Sequence, residues 1–416
     1  MSTPQRQVLS LLADPATLPD PYPVLSELRE ASPFAEFDGA LVVVGRHADC
    51  GAVLRHPNVS SQRGTSLLAP ASPRRARERP SFLSLDPPDH TRLRRLVSKA
   101  FTARTIARLE PRIRAITGEL LTAAATAGQL EVVSQLAHPL PVRIISEMLG
   151  VPVEDHPRFA GWSARLAHSL QPGFGVAPEE AQARADGADR ASEEFAAYFR
   201  ELIALRRARP QPDLLSALIG AEDSGDQLTE DELIATCVLL LVAGHETTVG
   251  LISNAILALL RHPDQFALLR ANPELAASAV EETLRYDAPV QLTGRVASGG
   301  MEIGGVTAPD RALVMVLLAA AGRDPAAFPD PDSFDIKRGA SNHLAFAAGP
   351  HFCLGAPLAR LEAAIALGEV ARRVIAPELA PGGLSYKPNL NLRGPDRLVV
   401  DFAQITSADR PLFPRR

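Results

Sequence analysis

The chain has 416 residues, 43 Lys+Arg against 48 Asp+Glu, and a net charge of −5. That mild acidity carries no electrostatic footprint for nucleic acid. Three cysteines, Cys50, Cys237 and Cys353, exclude a disulfide framework and point to a reducing compartment. A length prior allows two or three domains. No Gly/Ser linker, repeat or low-complexity tract divides the chain, so it reads as one domain over residues 1–416. The N-terminus lacks a basic-then-apolar leader, and a cytoplasmic location is expected.

In chain order, a helix is predicted over Pro21–Ala31, a strand over Ala40–Gly45 and a helix over Asp49–Arg55. Residues 58–80 read as irregular. They carry Arg74, Arg75, Arg77 and Arg79, either a solvated loop or a contact for an acidic group. Asp86 and its prolines suit a helix start, with His90 and Arg94 on one face. Ile106, Leu109, Ile113, Ile116, Leu120 and Leu121 keep helical spacing, and Pro139 and Pro141 are expected to interrupt that region. Pro172–Pro178 reads as a loop and Ala181–Arg209 as a helix.

Thr229 and Glu232 predict a capping box opening a long helix. The apolar stretch Leu233–Leu260 is long enough to cross a bilayer, but His245, Glu246, Thr247 and Thr248 interrupt it. A charge in mid-bilayer costs roughly 2.5–3.5 kcal/mol, so a buried helix is the better reading. Asp264–Tyr286 reads as helical, Gln291–Leu317 as short strands, and Arg323–Arg338 as irregular. A helix over Leu358–Val370 follows the last cysteine, and Leu398–Phe402 closes as a strand. The β-rich parts fall roughly at 35–60, 290–320 and 380–402. The class is mainly α with a minor β region, not a βαβ array.

The chemistry concentrates in three places. The first is Phe346-Ala-Ala-Gly349-Pro-His351-Phe-Cys353-Leu-Gly355, just before a helix. A lone cysteine is usually a small buried hydrophobe. No second cysteine or histidine pair lies at zinc-ligand spacing. A thiolate at a helix start, framed by glycines, suits a metal instead. The second is Glu282-x-x-Arg285, by itself a weak surface-pair signal. The third is Ala243-Gly-His-Glu-Thr-Thr248. A mid-helix glycine costs about 1 kcal/mol relative to alanine. The acid and hydroxyls beside it are expected to open the helical ladder and hold water. Helical geometry turns His245 away from that face.

Together and in this order, these motifs resemble the bacterial cytochromes P450, soluble haem-thiolate monooxygenases. The resemblance covers nearly the whole chain, most clearly from Asp86 onward, with Ala347 standing where the family often has glycine. It implies a P450 fold holding haem b between the long central helix and the cysteine-loop helix. Cys353 would be the axial iron ligand, thiolate ligation favouring O–O cleavage. Phe346, Gly349, Gly355 and Ala243 would frame the cofactor, and His90, Arg94, Arg295 and His351 would meet its carboxylates. Glu246 and Thr247 would be the catalytic acid–alcohol pair, Glu246 passing protons. Glu282, Arg285 and Arg338 would form a structural brace. By family position, Leu239, Ala243, Val290, Leu292 and Pro395 would line the substrate pocket, with segments Ser60–Phe82, Leu166–Val176 and Leu392–Pro395.

The resemblance further implies O2 and a bulky hydrophobic substrate of secondary metabolism. The chain shows no flavin, nicotinamide or iron–sulfur fingerprint of its own. Electrons are therefore expected from a ferredoxin and its reductase, reaching a monomer that binds neither nucleic acid nor membrane. Two rivals stand beside this: an oxidative-coupling or peroxide-driven haem-thiolate enzyme, and a non-catalytic haem or ligand-binding protein. The Glu246-Thr247 pair argues against peroxide chemistry and against mere binding.

Overall fold

A computed structural model describes residues 14–69, 81–169, 178–223, 225–339, 342–389 and 391–407. The long helix Glu230–Arg261 is its axis. The Thr229 hydroxyl accepts from the Glu232 N–H, and the Glu232 carboxylate accepts from the Thr229 N–H, so the capping box forms. The helix is long and apolar enough to cross a membrane, yet most of it is buried within the protein. Helices Pro139–Met148, Pro178–Ala208, Ala276–Tyr286 and Ala356–Arg373 pack against it. Their apolar faces merge into one helical core that includes Ile113, Phe199, Leu241, Ile252 and Ile365. Burying each such side chain stabilises by about 1.5–3 kcal/mol.

The largest sheet has five strands, ordered Phe34–Glu36, Leu41–Val44, Leu313–Val316, Thr293–Ala297 and Val59–Ser60. Leu41–Val44 pairs in parallel with Leu313–Val316, Leu41 opposite Leu313. All four residues of Leu41–Val44 are buried, because the two faces of the strand feed two different cores. Val42, Val44, Val314 and Val316 pack with Cys50 and Leu54, whereas Leu41, Val43 and Met315 pack with Leu25 and Leu28. A second sheet pairs Glu378–Tyr386, Pro395–Asp401 and Gln129–Glu131.

Several boundaries differ from expectation. Pro139 does not interrupt a helix; it opens Pro139–Met148, where its missing N–H costs nothing. Asp264–Tyr286 divides into Pro263–Ala271, a short turn Pro273–Leu275 and Ala276–Tyr286. Asn272 precedes Pro273 and leaves the helical region, at φ −134° and ψ 76°. The helix after Asp86 begins at Asp89. Asp86 instead accepts from the Ser60 hydroxyl at 2.5 Å and the Ser61 N–H at 2.7 Å. The Arg74–Arg79 cluster and most of Pro172–Pro178 lie outside the described residues.

Candidate active site

A cavity of about 250 Å³ lies between the long helix and the cysteine loop. Leu239, Leu240, Ala243, Gly244, Thr247 and Thr248 form its helical wall. Phe346, His351, Cys353, Gly355 and Leu358 face them. Phe82, Val290 and Thr293 close the sides. Of the expected substrate residues, Leu239, Ala243 and Val290 are on this wall. Leu292 and Pro395 are not. Leu292 is turned into the core of Leu25, Leu28 and Met315, and Pro395 is taken up in the sheet opposite Tyr386. The neighbouring Arg393 is likewise engaged, donating to Asp287 at 2.7 Å.

The cysteine loop is held by its own backbone. The Cys353 N–H donates to the Phe346 oxygen at 3.0 Å, and the helix Ala356–Arg373 starts three residues later. Burial pushes the Cys353 thiol above its ordinary value. The Gly355 and Ala356 N–H groups and the charges of Arg94 and Arg360 pull the other way. Arg360 caps the Phe346 ring, 4.6 Å from its centroid. It also donates to Glu281 at 2.6 Å, and His343 lies 3.3 Å from the same carboxylate. This Glu281–Arg360–His343 clamp carried no sequence signal.

The two loop glycines answer different needs. Gly349 has φ +70°, and a Cβ there would stand 2.4 Å from the Leu54 oxygen. Its close approach is therefore to the helix His47–Arg55, not to the cavity, whose wall it does not join. Gly355 has an ordinary φ of −81°, and a Cβ there would project to 4.0 Å from the Cys353 sulfur. Ala347 sits at φ +57°, a left-handed conformation that disfavours side chains.

At one edge of the cavity four cationic or ionisable donors converge. His90 and His351 stack with ring centroids 4.0 Å apart. Burial first, then His90 and Arg295, push His351 down to about 3. Burial and Arg94 lower His90. Arg295 is 5% exposed and, among the described residues, donates only to its neighbours, Thr293 Oγ1 at 3.2 Å and the Gly294 oxygen at 2.9 Å. Arg94 donates to the Phe352 oxygen at 2.5 Å. Among the described residues none of the four has a salt bridge, and both ring nitrogens of His90 are buried without a partner. Buried donors need acceptors. A flat group with two carboxylates and an iron facing Cys353 meets that need, so the residues fit haem.

The helical wall is less open than expected. The helix Glu230–Arg261 runs unbroken. Thr247 donates to the Ala243 oxygen and Thr248 to the Gly244 oxygen, each at 2.8 Å. Thr247 lines the cavity; Glu246 does not. Its carboxylate lies 2.9 Å from Lys387 Nζ and 3.4 Å from His245 Nε2. Burial alone would raise the Glu246 carboxyl; His245 and Lys387 override it and hold it well below the usual range. His245 stays off the cavity wall, as its helical position implies, but it touches the acid.

Off the cavity wall, Glu282 is 2% exposed. It accepts from Arg285 through two bonds of 2.8 Å, from Arg338 at 3.1 Å and from the Asp335 N–H at 2.9 Å. Arg285 also donates to the Gly322, Pro331 and Ser333 oxygens. The brace thus ties the helix Ala276–Tyr286 to the irregular stretch before the cysteine loop.

A mainly helical fold with Cys353 and Thr247 lining the same largely apolar cavity has the layout of a haem-thiolate oxygenase. The cytochrome P450 family model matches residues 39–274 and 269–373. The chain is 41% identical to cytochrome P450 monooxygenase PikC of Streptomyces venezuelae, covering 94% of this chain and 93% of that one. It is 39% identical to vitamin D(3) 25-hydroxylase of Pseudonocardia autotrophica, over 92% and 93%. The ligand-free structure of CYP164A2 from Mycobacterium smegmatis superposes with a TM-score of 0.88 at 48% identity, over 95% of this chain and 99% of that one. This chain belongs to the cytochrome P450 family and is a monooxygenase of that family, which uses O2, an organic substrate and redox partners.

Proposed function

We propose that this monooxygenase hydroxylates or epoxidises a bulky hydrophobic molecule of secondary metabolism, using haem b and electrons from a ferredoxin and its reductase. It works as a cytoplasmic monomer. The net reaction consumes substrate, O2, two electrons and two protons, and yields oxygenated product and water. The observation that carries this reading is that Cys353 and Thr247 line one mainly aliphatic cavity from different elements. Aliphatic walls reward apolar bulk, and the few polar groups orient it. The printed name of the Pseudonocardia relative, a vitamin D(3) hydroxylase, agrees with a substrate of that kind.

When bound, haem supplies the redox chemistry that activates dioxygen. Cys353, held by the loop and by N–H groups at the helix start, would hold the iron through its thiolate. His90, Arg94, Arg295 and His351 orient the cofactor through its carboxylates. Leu239, Ala243 and Val290 exclude water and hold the substrate. Thr247 presents its hydroxyl to the cavity, and a proton reaches it through Glu246 from the solvent side, where Lys387 pairs with the acid.

The test uses the purified protein with haem. Reduced protein under carbon monoxide should show the strongly red-shifted Soret band of a thiolate ligand, lost in Cys353→His. With a surrogate ferredoxin system and labelled O2, the label should enter product once. Product formed without label from O2 would sink the monooxygenase reading for this substrate class.

A further inference from the structure

His138, His245 and Glu246 bring three ligand atoms within 4.8 Å of one another, and none of the three lines the cavity. Neighbouring residues on a helix ordinarily point apart. Here the His245 ring folds back along the helix, its Nδ1 2.8 Å from the Leu241 oxygen. A carbonyl can only accept, so Nδ1 carries the proton and donates. In the neutral ring Nε2 is then a bare lone pair. Among the described residues no donor reaches it, and it lies buried 3.4 Å from Glu246 Oε1. Two acceptors facing one another in a buried place need a positive charge between them, which either a proton on Nε2 or a metal ion in its place supplies.

The surroundings suit a metal ion for that charge. The Nδ1–H bond to Leu241 fixes the tautomer and ring orientation, as outer-shell partners do for metal-bound imidazoles. His138 stands edge-on to His245, ring centroids 5.9 Å apart, at the start of the helix Pro139–Met148. Lys387 occupies the other carboxylate oxygen, Oε2, and leaves Oε1 to the site. Two imidazole nitrogens and one carboxylate oxygen are a donor set for zinc with a fourth position open. Glu246 is partly exposed, so an ion has a route in.

We propose that His138, His245 and Glu246 bind a divalent transition-metal ion of the zinc type, and that the bound ion inhibits turnover by occupying Glu246. The inhibition rests on the proton role proposed for Glu246; the binding does not.

Chelator-treated holoenzyme is titrated with Zn²⁺ at neutral pH by calorimetry, and the bound ion is read by X-ray absorption. The expected result is one ion per chain with two imidazole nitrogens in its shell. Affinity should fall at least about tenfold in His138→Asn and in His245→Gln, a scale that even outer-shell losses reach in metal sites. His138 is only partly buried, so His138→Asn carries the test if His245→Gln fails to fold. Unchanged affinity in His138→Asn, or a zinc shell without imidazole, overturns the site. Zn²⁺ should also slow product formation in the parent but not in His138→Asn. Binding without slowing would overturn the inhibition and the proton role of Glu246 while the site stands.

Discussion

Lys387 Nζ lies 2.9 Å from Glu246 Oε2, joining the end of a β-strand to the middle of the long helix across 141 residues of chain. Lysine occurs at only three positions, Lys99, Lys337 and Lys387. The pair holds the acid ionised and off the cavity wall, so the proton transfer proposed for Glu246 requires it to loosen. Glu246→Gln should slow product formation by about 10²-fold, the lower end of general acid–base contributions, with the carbon monoxide spectrum unchanged. Lys387→Gln should change the solvent deuterium isotope effect on turnover without changing haem content. An isotope effect identical to the parent's would show that the pair does not gate protons.

The brace around Glu282 is a buried charge network, and removing one member strands the others. Glu282→Gln leaves Arg285, fully buried, and Arg338 without their carboxylate. Breaking such a buried pair costs about 3–5 kcal/mol. Thermal unfolding of the holoprotein should show a large drop in Tm, with the cysteine loop weakened enough to lower haem retention. A variant with the parent's Tm would mean that the backbone carbonyls around Arg285 suffice alone.

Glu362 is buried in the helix Ala356–Arg373, and burial pushes its carboxyl from the ordinary 4.5 up to about 8. Between those values the folded chain binds a proton that the unfolded chain releases. That stabilisation is complete below about pH 4.5 and is lost as pH rises towards 8. Glu362→Gln carries no such proton. Its stability relative to the parent should therefore be higher at pH 8 than at pH 5, measured by denaturant unfolding of the holoprotein. Parallel pH curves for the two proteins would refute the assignment.

Ala347 and Gly349 make a reciprocal pair of substitutions. Left-handed backbone costs a residue with a Cβ about 1–2 kcal/mol, while glycine gives up about 0.5–1 kcal/mol in entropy. Ala347→Gly should therefore raise Tm slightly. Gly349→Ala must both adopt φ +70° and place a Cβ 2.4 Å from the Leu54 oxygen. It should sharply lower Tm and haem retention, read by differential scanning and by the Soret band. A neutral Gly349→Ala would show that the loop can move off the helix His47–Arg55.

Much of the site was legible because its signals are local. The cysteine, its aromatic and its glycines fall within ten residues, and the capping box of the long helix spans four. The pairing of Glu282 with Arg285 follows from helical spacing. Leu292 and Pro395 misled because a position near a pocket in sequence does not say which way the chain turns. Val290 faces the cavity, whereas Leu292 is captured by Leu25 and Leu28 from the helix Tyr22–Ala31. The helical ladder at Gly244 stayed closed because the Thr247 and Thr248 hydroxyls found carbonyls one turn back.

The sequence by itself determined the kind of helix that carries Thr247, the lone thiol of the glycine-framed loop, and the basic residues proposed to meet carboxylates. Those properties belong to residue type and short-range spacing. Only the tertiary structure decided that Glu246 turns to Lys387 and His245 rather than to the cavity, that Gly349 is required by Leu54, and that His138 joins the acid. Each is a contact between segments far apart in the chain. Periodicity tells which face of an element is apolar, but only packing tells which partner covers it.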